Sequence, residues 1–172
     1  MRRQELAMAK TRPRPNVRAA ASLCCVIAAA LCACDAVSPI GPIGPIPGGK
    51  LQGDLTAAPV SDWSFTDRFE TFELETRPSR PYSVTTWGIA SNGDFYVPSR
   101  DPQEKAWVQH VLSDPRVRLR VGEALYELRA DRVRDGAEFD RAVAKLAKKY
   151  SLDRPSGDAV GSVWLFRLIP RS

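Results

Sequence analysis

The sequence predicts an α+β domain, built on an antiparallel sheet or barrel, over residues 54–172 of a 172-residue chain. Two turn signals and two helix-start signals predict it. Asn92-Gly93 and Gly122-Glu123 each separate two apolar-rich runs by two residues, the spacing of tight hairpins whose turns favour glycine and asparagine. Asp101 with Glu104, and Asp135 with Glu138, place an acid three residues ahead of a glutamate where helical patterns begin. Hairpins with helices set between them belong to the α+β class. A span of about 120 residues makes one domain, able to bury about two thirds of its unfolded surface.

The chain ahead of that domain reads as an export leader. Residues 2–18 carry Arg2, Arg3, Lys10, Arg12, Arg14 and Arg18 against Glu5 alone, and residues 19–33 are uncharged, with Leu23, Val26, Ile27 and Leu31. That is a basic n-region followed by an apolar h-region. As a helix the apolar run would rise only about 22 Å, short of the ~30 Å hydrocarbon core, which argues against a permanent span. Leu31-Cys32-Ala33-Cys34 resembles the lipobox of bacterial lipoproteins. The resemblance implies removal of residues 1–33 and fatty acyl chains, palmitate among them, on Cys34, anchoring the protein to a membrane of the cell envelope and facing it away from the cytoplasm. An ordinary secretory signal is the alternative, and it would leave a soluble product. Acylation would hold the protein at a membrane stably only with two or more chains.

Removal of the leader takes six of the 25 basic residues and one of the 20 acidic ones, leaving 19 of each. The formal charge of +5 is thus a property of the leader and carries no nucleic-acid footprint. Cys24, Cys25 and Cys32 leave with it and Cys34 becomes the anchor, so no disulfide is available to the exported domain. Residues 34–53 hold Pro39, Pro42, Pro45, Pro47 and five glycines without apolar periodicity, and are expected to form a semi-extended tether.

Within the domain, residues 69–76 alternate Phe72, Leu74 and Thr76 against Thr71, Glu73 and Glu75, a strand with one charged face. Residues 83–90 and 95–100 are expected to pair about Asn92-Gly93. That register sets Ile89 opposite Tyr96, Gly88 opposite Val97, Thr86 opposite Ser99 and Thr85 opposite Arg100. Trp87, Ile89 and Tyr96 fall on one face and Val84, Phe95 and Val97 on the other, so both faces need cover. Asp101 as N-cap and Pro102 at the first helical position predict a helix from there to Leu112. Ser113-Asp114-Pro115 stops it, and Val117, Leu119 and Val121 then alternate with Arg116, Arg118 and Arg120. Through Gly122-Glu123 these three apolar residues oppose Leu128, Tyr126 and Ala124, while Arg118 meets Glu127. Phe139, Ala142, Val143, Leu146, Ala147 and Tyr150 recur at helical spacing behind Asp135, with Lys148 and Lys149 at the end that complements the helix dipole. A last strand over residues 160–169 is too apolar for an edge.

Several chemistries are excluded on inventory. His110 is the single histidine, so histidine/cysteine metal clusters and thiol nucleophiles are not expected in the exported domain. Without a nucleophile elbow nearby, His110 reads as solvated or locally bonded rather than catalytic. Walker and dinucleotide fingerprints do not occur. The Arg116, Arg118 and Arg120 stripe reads as a solvated strand face, matched in part by Glu127; lacking interleaved aromatics, it is no nucleic-acid platform.

Three runs carry a further resemblance: Asp94-Phe95-Tyr96-Val97-Pro98-Ser99-Arg100, Glu104-Lys105-Ala106-Trp107-Val108 and Ser113-Asp114-Pro115-Arg116-Val117-Arg118-Leu119. They resemble the flavin-binding split β-barrel superfamily, which includes pyridoxamine-phosphate oxidase-like proteins and deazaflavin-dependent nitroreductases. The motif match covers residues 82–133, and the order of elements extends it to Ile169. The resemblance implies an antiparallel split β-barrel with two peripheral helices, FMN or a deazaflavin coenzyme as cofactor, and pairing as a homodimer. It also implies that Thr85, Thr86, Ser99, Arg100 and Lys105 hold the cofactor's phosphate by charge-assisted hydrogen bonds, with Trp87 or Trp107 bordering the ring. Arg77 and Arg80 stand where the deazaflavin enzymes carry a glycine- and basic-rich turn.

Two functions follow from these expectations. One is a membrane-anchored envelope lipoprotein whose barrel binds a flavin or deazaflavin and acts as an oxidoreductase. The other is a non-catalytic envelope lipoprotein that uses the barrel for binding or interaction. Export favours the second, because the general route threads chains unfolded and a cofactor would have to be acquired outside; Arg2-Arg3 is a poor match to a twin-arginine signal.

Overall fold

The computed structural model describes residues 41–57, 59–152 and 162–171. The leader, the lipobox and Cys34 lie outside the described residues, as do the first residues of the expected tether and of the last strand. In chain order the elements are β1 (Asp54–Leu55), β2 (Phe72–Thr76), β3 (Tyr82–Thr86), β4 (Ile89–Ser91), β5 (Asp94–Arg100), α1 (Ala106–Ser113), β6 (Arg116–Val121), β7 (Ala124–Arg132), α2 (Gly136–Lys149) and β8 (Val163–Pro170).

Seven strands form one antiparallel sheet in the order β3-β2-β6-β7-β8-β5-β4, and β1 adds a short parallel pairing to β7. Only Trp87 and Gly88 separate β3 from β4, yet these strands occupy the two ends of the order. Two residues span about 10 Å at most, so the sheet must curl until its ends nearly meet. The result is an open half-barrel whose ends are not hydrogen-bonded to each other. Gly88 sits where they pass: a Cβ there would lie 2.4 Å from Phe95 Cζ and 3.1 Å from Phe72 Cδ2. Only glycine fits that crossing.

Both hairpins adopt the registers that their turns dictate. Asn92 and Gly93 take φ of 51° and 85°, and Ile89 faces Tyr96. Gly122 takes φ of 60°, Val117, Leu119 and Val121 face Leu128, Tyr126 and Ala124, and Arg118 opposes Glu127. Alternation sorts the apolar residues into two clusters. Phe72, Leu74, Phe95, Val97 and Phe166 pack on one face with Trp107, Val108 and Val111 of α1. Ile89, Tyr96 and Leu165 pack on the other with Ala142 and Leu146 of α2. Asp135 caps α2, its carboxylate accepting from Glu138 N at 2.7 Å.

Five expectations are corrected. The first hairpin does not extend upstream of Ile89: Thr86 does not pair with Ser99 nor Thr85 with Arg100, because β3 turns away at Gly88 to pair with β2 while Ser99 and Arg100 pair with Trp164 and Val163 of β8. The strand beginning at residue 69 starts at Phe72, behind a 3-10 turn over Ser64–Arg68. The helix expected from Asp101 starts at Ala106. Asp101 lies at φ 49°, ψ 56°, in the left-handed region rather than the extended conformation of an N-cap, and Pro102–Glu104 make only a 3-10 turn. The arginine stripe is not simply a solvated face matched by Glu127: Arg118 opposes Glu127 in register as expected, but β6 also pairs with β2 and brings the stripe beside its acidic face. There Glu75 accepts from Arg118 Nε at 2.9 Å and more closely from Nη2, and Glu73 lies 2.6 Å from Arg120 Nη2. Finally, the tether is packed on the domain from Gly41 onward. Gly48 and Ser83 exchange backbone bonds of 2.9 Å, Leu51 is fully buried, and Leu51 N donates to Glu75 at 2.6 Å.

Candidate functional site

An open cavity of about 690 Å³ lies where the N-terminal strap, β3, the end of β5, the start of α1 and the C-terminal half of α2 meet. All five residues expected to hold a phosphate line it: Thr85, Thr86, Ser99, Arg100 and Lys105. Their convergence does not come from the pairing expected of them. β3 delivers the threonines from one end of the sheet, and β5 delivers Ser99 and Arg100 from near the other.

One end of the cavity is cationic and rich in donors. Arg100 closes β5 and Lys105 precedes α1; both are exposed, and neither has an ion-pair partner among the described residues. Glu104 beside them is the one carboxylate among the lining residues. The backbone of Lys105 is extended, and α1 begins there with no side-chain cap, so the amides of the lining residues Ala106 and Trp107 have no acceptor within the helix. Ser99 is only 4 % exposed, and its Oγ has no hydrogen-bond partner among the described residues. A buried hydroxyl in that state costs about 1–3 kcal/mol until something pairs with it. Thr86 Oγ1 donates weakly to the Trp87 carbonyl at 3.2 Å.

The other wall is apolar, made by Val84, Val143, Leu146, Ala147 and Leu152. The two tryptophans differ. Trp107 is buried, with its ring edge-on to Phe166 at 5.4 Å, and belongs mainly to the core. Trp87 is 43 % exposed and stacks on Tyr150 at 4.6 Å and 14°. Tyr150 is the clamp behind it: its hydroxyl accepts from Gly88 N at 3.1 Å and lies 2.8 Å from the Glu70 carbonyl, while Lys149 Nζ donates to Gly88 O at 3.1 Å. Burial pushes the Tyr150 phenol up and holds the Lys149 ammonium below its ordinary range.

No family model and no curated protein matches the chain. Solved structures do match. A candidate pyridoxamine 5′-phosphate oxidase from Listeria innocua aligns over 62 % of this chain and 88 % of its own, at 14 % identity and a TM-score of 0.50. A conserved hypothetical protein from Mycobacterium tuberculosis aligns over 72 % and 87 %, at 16 % identity and 0.50. A candidate 5-nitroimidazole antibiotic resistance protein from Bacteroides thetaiotaomicron aligns over 67 % and 83 %, at 13 % identity and 0.50. The fold is a split β-barrel.

Not every residue nominated from the sequence sits at the split barrel's cavity. Arg77 and Arg80 do not line it. Arg77, at φ 55°, donates from Nε to the Arg80 carbonyl at 2.7 Å, and the two close their own turn between β2 and β3. His110 is also elsewhere, its Nδ1 3.1 Å from Thr76 Oγ1 and its ring edge-on to Tyr82. Burial, and then the charge of Arg77, hold its imidazole below the ordinary range. Conversely, Gly44, Pro45 and Pro47 of the strap and Val143 and Ala147 of α2 line the split barrel's cavity although nothing nominated them for it. The helical spacing of Val143, Leu146 and Ala147 marked them as an inward face, which part of the cavity shares with the core. Among the described residues no group of three metal-ligating side chains occurs.

Proposed function

We propose that the cavity binds a flavin or deazaflavin coenzyme by its phosphate, in a protein held at the cell envelope through acylated Cys34, and that the bound coenzyme serves redox chemistry. The observation carrying the reading is Ser99, a buried hydroxyl without a partner among the described residues, lining a cavity whose rim holds two cations that have no ion-pair partner among those residues. The volume falls within the usual range of small-molecule and cofactor sites. The residues present suit such a group: Arg100 and Lys105 supply charge, Thr85, Thr86 and Ser99 supply hydroxyls, and the uncapped start of α1 adds favourable field for an anion. Trp87 and the aliphatic face of α2 would flank a planar ring and exclude water from one side. When bound, the coenzyme would supply the hydride or electron transfer. The Listeria neighbour, whose name is that of an oxidase handling a phosphate ester, supports the pairing of redox chemistry with a phosphate site.

A second reading, binding without turnover, is favoured by the lining itself. Among the described lining residues the one carboxylate, Glu104, is exposed, and none is a buried acid or base. Purification of the full chain from its native host, visible absorption, and titration with FMN and a deazaflavin test both readings. Ser99→Ala, Arg100→Ala and Lys105→Ala should each weaken coenzyme binding by about tenfold or more, as expected for lost hydrogen bonds to a charged group. A colourless protein that binds neither coenzyme at micromolar concentration sinks the cofactor reading; binding without reduction by any donor selects the second. Absence of a fatty acyl group on Cys34 in the chain purified from membranes, read by intact mass, would refute the anchor.

A further inference from the structure

We propose that the rim of the cavity is a second membrane contact, a face that lies on the bilayer surface beside the anchor; this rests on the envelope-anchor reading and goes beyond it. The strap carries the first observation. Ile43 and Ile46 exchange backbone hydrogen bonds of 3.1 and 3.0 Å about a tight turn with Gly44 at φ 55°. Both side chains are exposed, at 64 % and 63 %, while Gly44 and Pro45 between them line the cavity. Trp87 at 43 % and Leu152 at 37 % line the same cavity. Four of the large exposed apolar residues of the described domain therefore gather about one opening, and Arg100 and Lys105, without ion-pair partners among the described residues, stand at it as well. Clustered apolar exposure marks an interaction surface. Apolar side chains with an amphipathic tryptophan and flanking cations suit the boundary between headgroups and acyl chains.

Chain length favours a bilayer over a soluble partner. Because the expected tether is packed from Gly41, only residues 35–42 separate Cys34 from Ile43. Fully extended, that stretch reaches on the order of 30 Å. A domain of this size is itself roughly 30 Å or more across, so an acylated Cys34 keeps the Ile43/Ile46 turn on the membrane-proximal side. When no coenzyme phosphate occupies them, Arg100 and Lys105 then meet anionic headgroups, each contributing about 1 kcal/mol of attraction.

The test uses the full chain reconstituted into phosphatidylcholine–phosphatidylglycerol vesicles with brominated acyl chains. Trp63 and Trp107 are buried and Trp164 is half-buried, so Trp87 is the tryptophan that lipid can reach. Brominated lipid should remove most of the emission that Trp87 contributes, and Trp87→Phe should abolish the effect. Ile43→Ser with Ile46→Ser should restore emission while leaving FMN affinity unchanged, which separates this contact from the cofactor site. Arg100→Gln or Lys105→Gln should weaken vesicle binding of the unacylated chain about fivefold each, and only with the anionic lipid. A chain that floats with the vesicles while Trp87 stays open to aqueous iodide overturns the proposal. So does concentration-dependent self-association that covers Trp87 without lipid. A chain that does not float refutes the anchor instead, and the same quenching with the chain held by an N-terminal histidine tag on nickel-chelating lipid then decides the contact alone.

Discussion

Glu75→Ala removes the side chain that joins the strap to the barrel through Leu51 and Arg118. Glu75 is buried on β2, accepts from Arg118 Nε and Nη2, and takes the backbone N–H of Leu51 at 2.6 Å; Arg118 Nη2 in turn donates to Leu51 O at 3.1 Å. Removing the carboxylate therefore strands a mostly buried guanidinium and an amide of the strap together. Breaking a buried pair from one side costs about 3–5 kcal/mol; Arg118 keeps the Leu51 carbonyl and can turn toward Glu127 opposite it, so the lower end, about 3 kcal/mol, is expected. For a domain of this length that is a fall in Tm of roughly 10 °C. Denaturant unfolding of the full chain gives the global loss, and hydrogen exchange at the Leu51 amide gives the local one, which should rise ahead of exchange in β6. Glu75→Met with Arg118→Met should recover most of the global loss, since no charge is then left buried. A cost under about 1 kcal/mol, the range of an exposed pair, or unchanged protection at Leu51, would refute the reasoning.

Three further outcomes are expected. Gly88→Ala forces a methyl to within 2.4 Å of the Phe95 ring, with Phe72 closing the other side, and should cost about 1–3 kcal/mol in unfolding midpoint as an overpacked site. Asp135→Ala removes the cap of α2 and should cost about 1 kcal/mol, with the denaturant slope unchanged. His110 is held below its usual 6.5 by burial and then by Arg77, so the folded state binds its proton less readily than the unfolded chain. Its contribution is complete above the unfolded value and is lost as pH falls from there toward the folded pKa. Because the chain has one histidine, its NMR titration needs no assignment; a pKa at or above 6.5, or a pH dependence of stability unaltered by His110→Gln, would contradict this.

What was legible in the sequence was local. Asn92-Gly93 and Gly122-Glu123 fixed two registers because turn geometry is set by the turn residues themselves, and Asp135 with Glu138 fixed the start of α2 because the cap bond spans three residues. What was not legible is nonlocal. Nothing beside Glu73 and Glu75 says that they will lie against Arg120 and Arg118, more than forty residues on. At Asp101 the same capping pattern failed because the backbone there is left-handed and its N–H serves the carbonyl of Ser162, which leads into the neighbouring strand β8, about sixty residues on. The strap looked like a spacer because prolines and glycines carry no periodicity; its hold comes from Leu51 and two backbone bonds at Gly48. The five cavity residues were legible only as motif positions, and the strands that bring them together were paired incorrectly.

The Tyr150 hydroxyl ties the last turn of α2 to the Gly88 corner between the two ends of the sheet, and its ring carries Trp87. Helix ends fray, so this arrangement makes the final turn of α2 a latch: when Tyr150 lifts, the corner loses an acceptor and Trp87 its support in the same event. The cavity's aromatic wall and the end of α2 thus open at one rate, which amide exchange at Gly88 and Tyr150 would read as a shared value.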